Sequence, residues 1–96
     1  MTDPKTSLQS ARATLSTERE GLQLLEDSLG DDFEQAVELI GKTEGRLIVT
    51  GMGKSGHIAK KITATLASTG TPAYYVHPGE ASHGDLGMIM QSDVVL

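Results

Sequence analysis

A glycine-rich loop between a short apolar run and a helix-like segment constrains this chain more than any other feature. The loop is residues 51–56, GMGKSG. The run before it, residues 46–50, is β-branched and nearly continuously apolar, which is typical of a strand buried on both faces of a parallel sheet. After the loop, apolar residues recur at helical spacing from Ile58 to Leu66, and Gly70 suits a left-handed helix end. The loop is therefore predicted to be a strand-to-helix turn.

Such a turn is predicted to bind an anion. The first N–H groups of a helix have no partner within it, and the helix dipole places about half a positive charge there. Lys54 in this first turn is disfavoured by about 0.3–1 kcal/mol unless a negative ligand is present. Lys54, with its neighbours Gly53 and Ser55, is therefore predicted to contact the ligand; the alternative is an ordinary solvated lysine.

Two familiar phosphate motifs nearly match the loop. A P-loop requires a glycine five positions before Gly53, where this chain has Ile48. The dinucleotide pattern GxGxxG is present in residues 51–56, but the acidic residue expected about 20 positions later is missing. The second strand ends instead on His77, which indicates a different ligand.

Bulk composition narrows the class of protein. The chain has 96 residues, a net charge of −5 and no cysteine, and its longest basic cluster is Lys60-Lys61. These features predict one small domain that is not a partner of nucleic acid or of a membrane. Neither a disulfide framework nor a thiolate metal site is possible, which fits a cytoplasmic protein.

Two helices are predicted before the loop. Leucines at helical spacing predict a long amphipathic helix that begins at Pro4, is capped by Asp3 and ends at Gly30. Its narrow apolar stripe suits packing within the chain or on a partner subunit. The second helix is predicted from Asp31, its N-cap, to Gly41.

The remaining pattern predicts an α/β fold. Strands at 46–50 and 73–77 flank the helix after the loop, and residues 94–96 start a third buried strand. This is a βαβ unit plus the start of a third strand, the N-terminal half of a doubly wound parallel sheet preceded by two helices. Ligands of such sheets bind at the carboxyl ends of the strands, where the loop and His77 should meet.

The segment 77–87 is the second chemically rich stretch. It is too polar and glycine-rich for a strand, and it contains His77, Glu80 and His83. Histidine suits proton transfer near neutral pH, and these three side chains could also hold zinc, although no standard ligand spacing is met. Both interpretations stay open.

Three segments carry a resemblance to a known family. Residues 51–58 (GMGKSGHI), 67–72 (ASTGTP) and 76–88 (VHPGEASHGDLGM) resemble the D-arabinose 5-phosphate isomerases, which carry a sugar isomerase (SIS) domain. The resemblance covers residues 45–96 and implies the first part of that domain, truncated at the third strand. Residues 1–44 form a helical segment ahead of it.

The resemblance implies an isomerase that interconverts D-ribulose 5-phosphate and D-arabinose 5-phosphate, a step that supplies the octulosonic acid of lipopolysaccharide. We therefore expect no required cofactor, and, because the family is typically tetrameric, the resemblance implies a homotetramer. By position, Lys54 matches an active-site lysine, Gly70 and Thr71 a substrate-binding pair, His77 a position associated with substrate and zinc, and His83 a substrate-contacting histidine.

The resemblance also implies that part of the site lies beyond residue 96. Family members continue into a Ser- and Gly-rich phosphate loop and then contribute glutamates and a histidine. The catalytic base is expected there, so the 96-residue chain alone is predicted to be inactive. Alternatives from other classes are a sugar-phosphate-binding regulatory SIS module without catalysis and a dinucleotide-binding domain.

Overall fold

A computed structural model describes residues 4–96, which divide into two compact units. The first unit ends at Glu34, and the second is Gln35–Leu96. The domain division expected from the sequence, at residues 44 and 45, stays a prediction. None of the helices in the described part of the chain is long and apolar enough to cross a membrane.

Helix α1 spans Pro4–Ser28. It begins at the predicted proline, whose fixed φ and missing N–H suit a first helical position, and it ends two residues before the predicted Gly30. The predicted cap, Asp3, lies outside the described residues. The leucines of the apolar stripe are exposed, Leu22 for example by 67%.

Helix α2 spans Asp31–Lys42. The N–H groups of Phe33 and Glu34 both donate to the carbonyl of Gly30, so Gly30 occupies the N-cap position predicted for Asp31. The helix also continues past Gly41, the predicted end, to Lys42, which pairs with Glu38 one turn earlier. Three carboxylates in its first turn favour the helix through the dipole.

A three-stranded parallel sheet forms the centre of the second unit. Its strands are β1 (Leu47–Val49), β2 (Ala73–Tyr75) and β3 (Val94–Val95), in the order β2-β1-β3. All three strands were predicted, each slightly longer than it is. Because β2 and β3 lie on opposite sides of β1, the strand order reverses at the carboxyl end of β1, where doubly wound sheets bind ligands.

Burial of β1 on both faces explains why its sequence is a continuous apolar run. Leu47, Ile48 and Val49 are all buried, as predicted for a strand covered on both faces. Ala59 of the following helix and Ala73 of β2 complete a small core with Leu47 and Val49.

Helix α3 spans Gly53–Ser68 and connects β1 to β2. It ends where predicted: Thr69 caps it, and Gly70 has a φ of +100°, a left-handed conformation that favours glycine. After β2 come a short helix α4 (Pro78–Ser82) and a 3₁₀ turn (Asp85–Met88), so the segment predicted as non-strand is largely helical.

Candidate functional site

The strand-to-helix loop has the conformation expected of an anion site. Gly53, the first residue of α3, has a φ of +58°, and the helix has no acidic residue in its first turn. Met52 is the N-cap, and no side chain caps the helix among the described residues. The first N–H groups of α3 are therefore available to an external acceptor, next to Lys54.

A tight contact holds this loop in place. The hydroxyl of Tyr75 donates to the carbonyl of Gly51 over 2.6 Å. A Cβ on Gly56 would lie 2.6 Å from that same carbonyl oxygen and 2.9 Å from the Tyr75 hydroxyl, so only glycine fits. Thr50 adds a second tie between the strand ends, since its hydroxyl donates to the carbonyl of Val76 over 2.5 Å.

Lys54 opens into a cavity on the β3 side of the loop, which we call the Lys54 cavity. Its volume is about 350 Å³. Its polar groups come from Thr50, Lys54 and Ser55, and its remaining lining is aliphatic: Val49, Ile58, Ala59, Ile62 and Leu96.

His77 opens into a separate cavity on the β2 side, which we call the His77 cavity. Its volume is about 200 Å³, and its lining is Gly53, Gly56, His57, Lys60, Tyr75 and His77. The ammonium of Lys60 lies 5.2 Å from the centre of the Tyr75 ring, within cation–π range. Nδ1 of His77 accepts a hydrogen bond from the backbone N–H of Gly79 over 2.9 Å.

The two cavities lie on two faces of α3. Gly53, Gly56, His57 and Lys60 repeat at spacings of three and four, which places them on one face. Lys54, Ser55, Ile58, Ala59 and Ile62 repeat likewise on another. The predicted meeting of the loop with His77 therefore holds for Gly53, while Lys54 and Ser55 face the other cavity.

The predicted substrate pair Gly70 and Thr71 lies elsewhere on the chain. Both residues follow α3 and precede β2, so they are at the amino edge of the sheet. A 16-residue helix separates them from Gly53, and such a helix is roughly 24 Å long at about 1.5 Å per residue. The structure does not bring this pair to Lys54 within one chain, and its substrate role stays a prediction.

His83 follows α4, and its side chain is exposed. It lines neither the Lys54 cavity nor the His77 cavity. Its substrate contact therefore also stays a prediction.

The zinc hypothesis can be tested against the residues present. Among residues 4–96, no group of three or more His, Cys, Asp or Glu side chains is placed to hold a metal ion. The Nδ1 lone pair of His77 is already used by the N–H of Gly79. The zinc site considered for His77, Glu80 and His83 thus has no matching donor set among these residues.

Charge in the two cavities is locally positive. The chain carries a net charge of −5, yet the cationic side chains that line the cavities are Lys54 in one and Lys60 in the other, and none of the described lining residues is Asp or Glu. This arrangement favours an anionic ligand. The described lining therefore offers no side-chain carboxylate as a base.

Four residues of the His77 cavity were not predicted as site residues: Gly56, which was predicted only as part of the loop, and Tyr75, Lys60 and His57. Tyr75 was predicted only as part of the second strand, Lys60 only as part of a short basic cluster, and His57 only as part of the segment 51–58 that resembles the isomerases. Their spacing from Gly53 along the helix, four and seven residues, was the available signal for His57 and Lys60. The position of Tyr75 depends on which face of β2 meets α3, which the sequence left open.

Known proteins resemble this chain in sequence and in fold. Residues 40–96 match the SIS domain family. The arabinose 5-phosphate isomerase KdsD of Pseudomonas aeruginosa is 57% identical over 93% of this chain and 27% of its own length. The arabinose 5-phosphate isomerase GutQ of Salmonella typhi is 58% identical over 93% of this chain and 28% of its own length. The chain thus spans little more than a quarter of these curated relatives.

A solved structure from Escherichia coli CFT073, in complex with arabinose 5-phosphate, superimposes with a TM-score of 0.89. It is 36% identical, and the match covers 98% of this chain and 50% of that one. The parallel sheet with flanking helices is therefore the fold of a known structure that binds a ligand.

Proposed function

Because this chain belongs to the SIS domain family, we propose that its protein is an aldose–ketose isomerase that interconverts D-ribulose 5-phosphate and D-arabinose 5-phosphate. The observation that carries the proposal is the identity of 57–58% over 93% of the chain to proteins named arabinose 5-phosphate isomerases. The likeness to a structure in complex with arabinose 5-phosphate supports the same substrate class.

The geometry supports an anionic sugar as the ligand. The uncapped first turn of α3 supplies N–H donors at the switch point of the sheet, and Lys54 adds a positive charge beside them. Isomerisation through an enediol needs donors or cations that stabilise charge developing on the two oxygens. We assign this role to Lys54, with Gly53 and Ser55 as substrate contacts.

The same chemistry also needs a base for the carbon-bound proton. Since no described Asp or Glu side chain lines the two cavities, we propose that a carboxylate base comes from residues other than those of the two cavities. We further propose a cytoplasmic homotetramer without a required cofactor, in the pathway to the lipopolysaccharide octulosonate, as the family resemblance implies.

Replacement of Lys54 tests the proposal. In the protein with the length of its curated relatives, Lys54→Ala should lower turnover of D-arabinose 5-phosphate by about 100-fold or more, the scale observed when one charge-stabilising group is removed. Lys61→Ala, at an exposed position of α3 away from both cavities, is the control. Equal turnover of the two variants would contradict the role of Lys54.

A second candidate is a sugar-phosphate-binding regulatory module. The uncapped helix terminus and the positive cavities would serve binding without turnover equally well. Isothermal titration with D-arabinose 5-phosphate beside a turnover assay separates the two functions. Binding by a protein of full length that shows no turnover would favour the module.

A further inference from the structure

His77 has two roles at once, one in the fold and one toward its cavity. Its backbone is the N-cap of α4, with φ −69° and ψ 131°, and its Nδ1 accepts the N–H of Gly79 over 2.9 Å. His77 is also one of the residues that line the His77 cavity. The hydrogen bond with Gly79 determines whether the other ring nitrogen of His77 can donate or accept a hydrogen bond.

A backbone N–H can only donate a hydrogen bond, so Nδ1 of His77 must carry its lone pair toward Gly79. A neutral imidazole with a free lone pair on Nδ1 has its proton on Nε2. We infer that the Gly79 N–H holds His77 as the Nε2–H tautomer, so that His77 binds a ligand oxygen as a hydrogen-bond donor and does not bind a metal ion.

Metal binding would require a different arrangement at either nitrogen. A metal on Nε2 needs the lone pair there and the proton on Nδ1, where that proton would point at the Gly79 N–H. A metal on Nδ1 would displace the Gly79 N–H directly. Both routes remove the side-chain cap of α4.

The surroundings of His77 favour an oxygen acceptor. His57 and Lys60 line the same cavity, and none of the described carboxylates does. A divalent cation would therefore meet a lysine ammonium and no compensating anion from these residues, whereas a phosphate or hydroxyl oxygen would meet donors. Only the identity of this oxygen, as part of a sugar phosphate, rests on the proposed function.

Imidazole nitrogen NMR on the whole protein labelled with ¹⁵N tests the tautomer directly. We expect a protonated Nε2 and an unprotonated Nδ1 for His77, assigned by comparison with His77→Asn, in the absence of any ligand. Equimolar zinc chloride should leave these signals in place. A protonated Nδ1, or a zinc-dependent change of the His77 signals together with the Gly79 amide, would overturn the inference.

Two substitutions separate the role of His77 as the cap of α4 from its role as a hydrogen-bond donor to the ligand. His77→Asn keeps an acceptor near the Nδ1 position, and asparagine is a favoured N-cap, but it removes the Nε2–H group. His77→Gln places an amide donor near the Nε2 position and removes the cap. Tested with inorganic phosphate and with D-arabinose 5-phosphate, the Asn variant should keep the Gly79 amide signal and lose about tenfold in affinity.

The Gln variant should change the Gly79 amide signal and retain more of the affinity than the Asn variant does. Wild-type affinity in the Asn variant would overturn the donor role. Because the tautomer is read without ligand and without turnover, an inactive protein with an Nε2–H tautomer would refute the proposed isomerase function and leave this inference intact.

Discussion

At the scale of single residues, the conformation of the loop depends on packing at Gly56 more than on the charged residue Lys54. The position is buried, and the hydrogen atom of glycine leaves room for the Gly51 carbonyl and the Tyr75 hydroxyl, which hydrogen-bond to each other. Both contacts are to atoms that cannot move away easily, a backbone carbonyl and the hydroxyl bound to it. The glycine pattern of the loop is thus explained by packing as well as by ligand binding.

Gly56→Ala should therefore destabilise the protein by about 1–3 kcal/mol, the usual cost of overpacking. The matched control is Gly41→Ala, because a Cβ at that helical position would meet nothing within 4 Å. That change should be neutral or stabilising by up to about 1 kcal/mol. Urea unfolding of both variants measures the difference, and equal stabilities would show that α3 can shift away from the loop at no cost.

At the scale of elements, the strands are tied together at the amino edge of the sheet by an ion pair. Asp93 accepts hydrogen bonds from the Arg46 backbone N–H (2.8 Å), from the Arg46 guanidinium (2.9 Å) and from the Met90 N–H (2.7 Å). Its side chain is only 1% exposed. These contacts join the start of β1 to the turn before β3, far from the two cavities.

This ion pair should make the free energy of unfolding depend on pH in the acidic range. The hydrogen bond from the Arg46 side chain and those from the Met90 and Arg46 backbone N–H groups hold the pKa of Asp93 well below its usual range. The unfolded chain then binds more protons than the folded one at low pH, so this contribution is complete above about pH 4 and is lost as the pH falls below it.

Asp93→Asn tests that dependence. The variant should be less stable than the wild type at pH 7 and should lose less stability between about pH 5 and pH 2, because it has no carboxylate to protonate there, measured by urea unfolding at each pH. An unchanged slope against pH would mean that Asp93 does not carry the acid sensitivity.

At the scale of the whole molecule, the two cavities present lysine and histidine side chains but no side-chain carboxylate. None of the described residues that line them is Asp or Glu. Apolar side chains beside the Lys54 cavity, such as Ile58 and Leu96, are 61% and 56% exposed. These features agree with the proposal that other residues contribute to the site.

We therefore expect the 96-residue chain alone to show no turnover of D-arabinose 5-phosphate, and the protein with the length of its curated relatives to show it. Turnover by the shorter chain would show that its own residues include the base.

The proposed homotetramer is tested by the mass of the longer protein. Light scattering of that protein should give the mass of a tetramer, and a monomeric mass would refute the tetramer.

The sequence by itself determined the local elements. The buried run of β1, the glycine loop and the left-handed Gly70 predict a strand, a turn and a helix, because each depends on residues close together in the chain. The helix caps were less well predicted: Gly30 caps α2 in place of Asp31, since a glycine carbonyl can begin a helix as well as an aspartate can.

Only the tertiary structure decided how these elements share the site. The order β2-β1-β3 sets the candidate ligand crevice at the end of β1, and the two faces of α3 separate the Lys54 cavity from the His77 cavity. The Tyr75 contact with Gly51 likewise joins residues 24 positions apart. Such arrangements depend on which strands pair and which faces pack, and these long-range contacts leave no periodicity in the sequence.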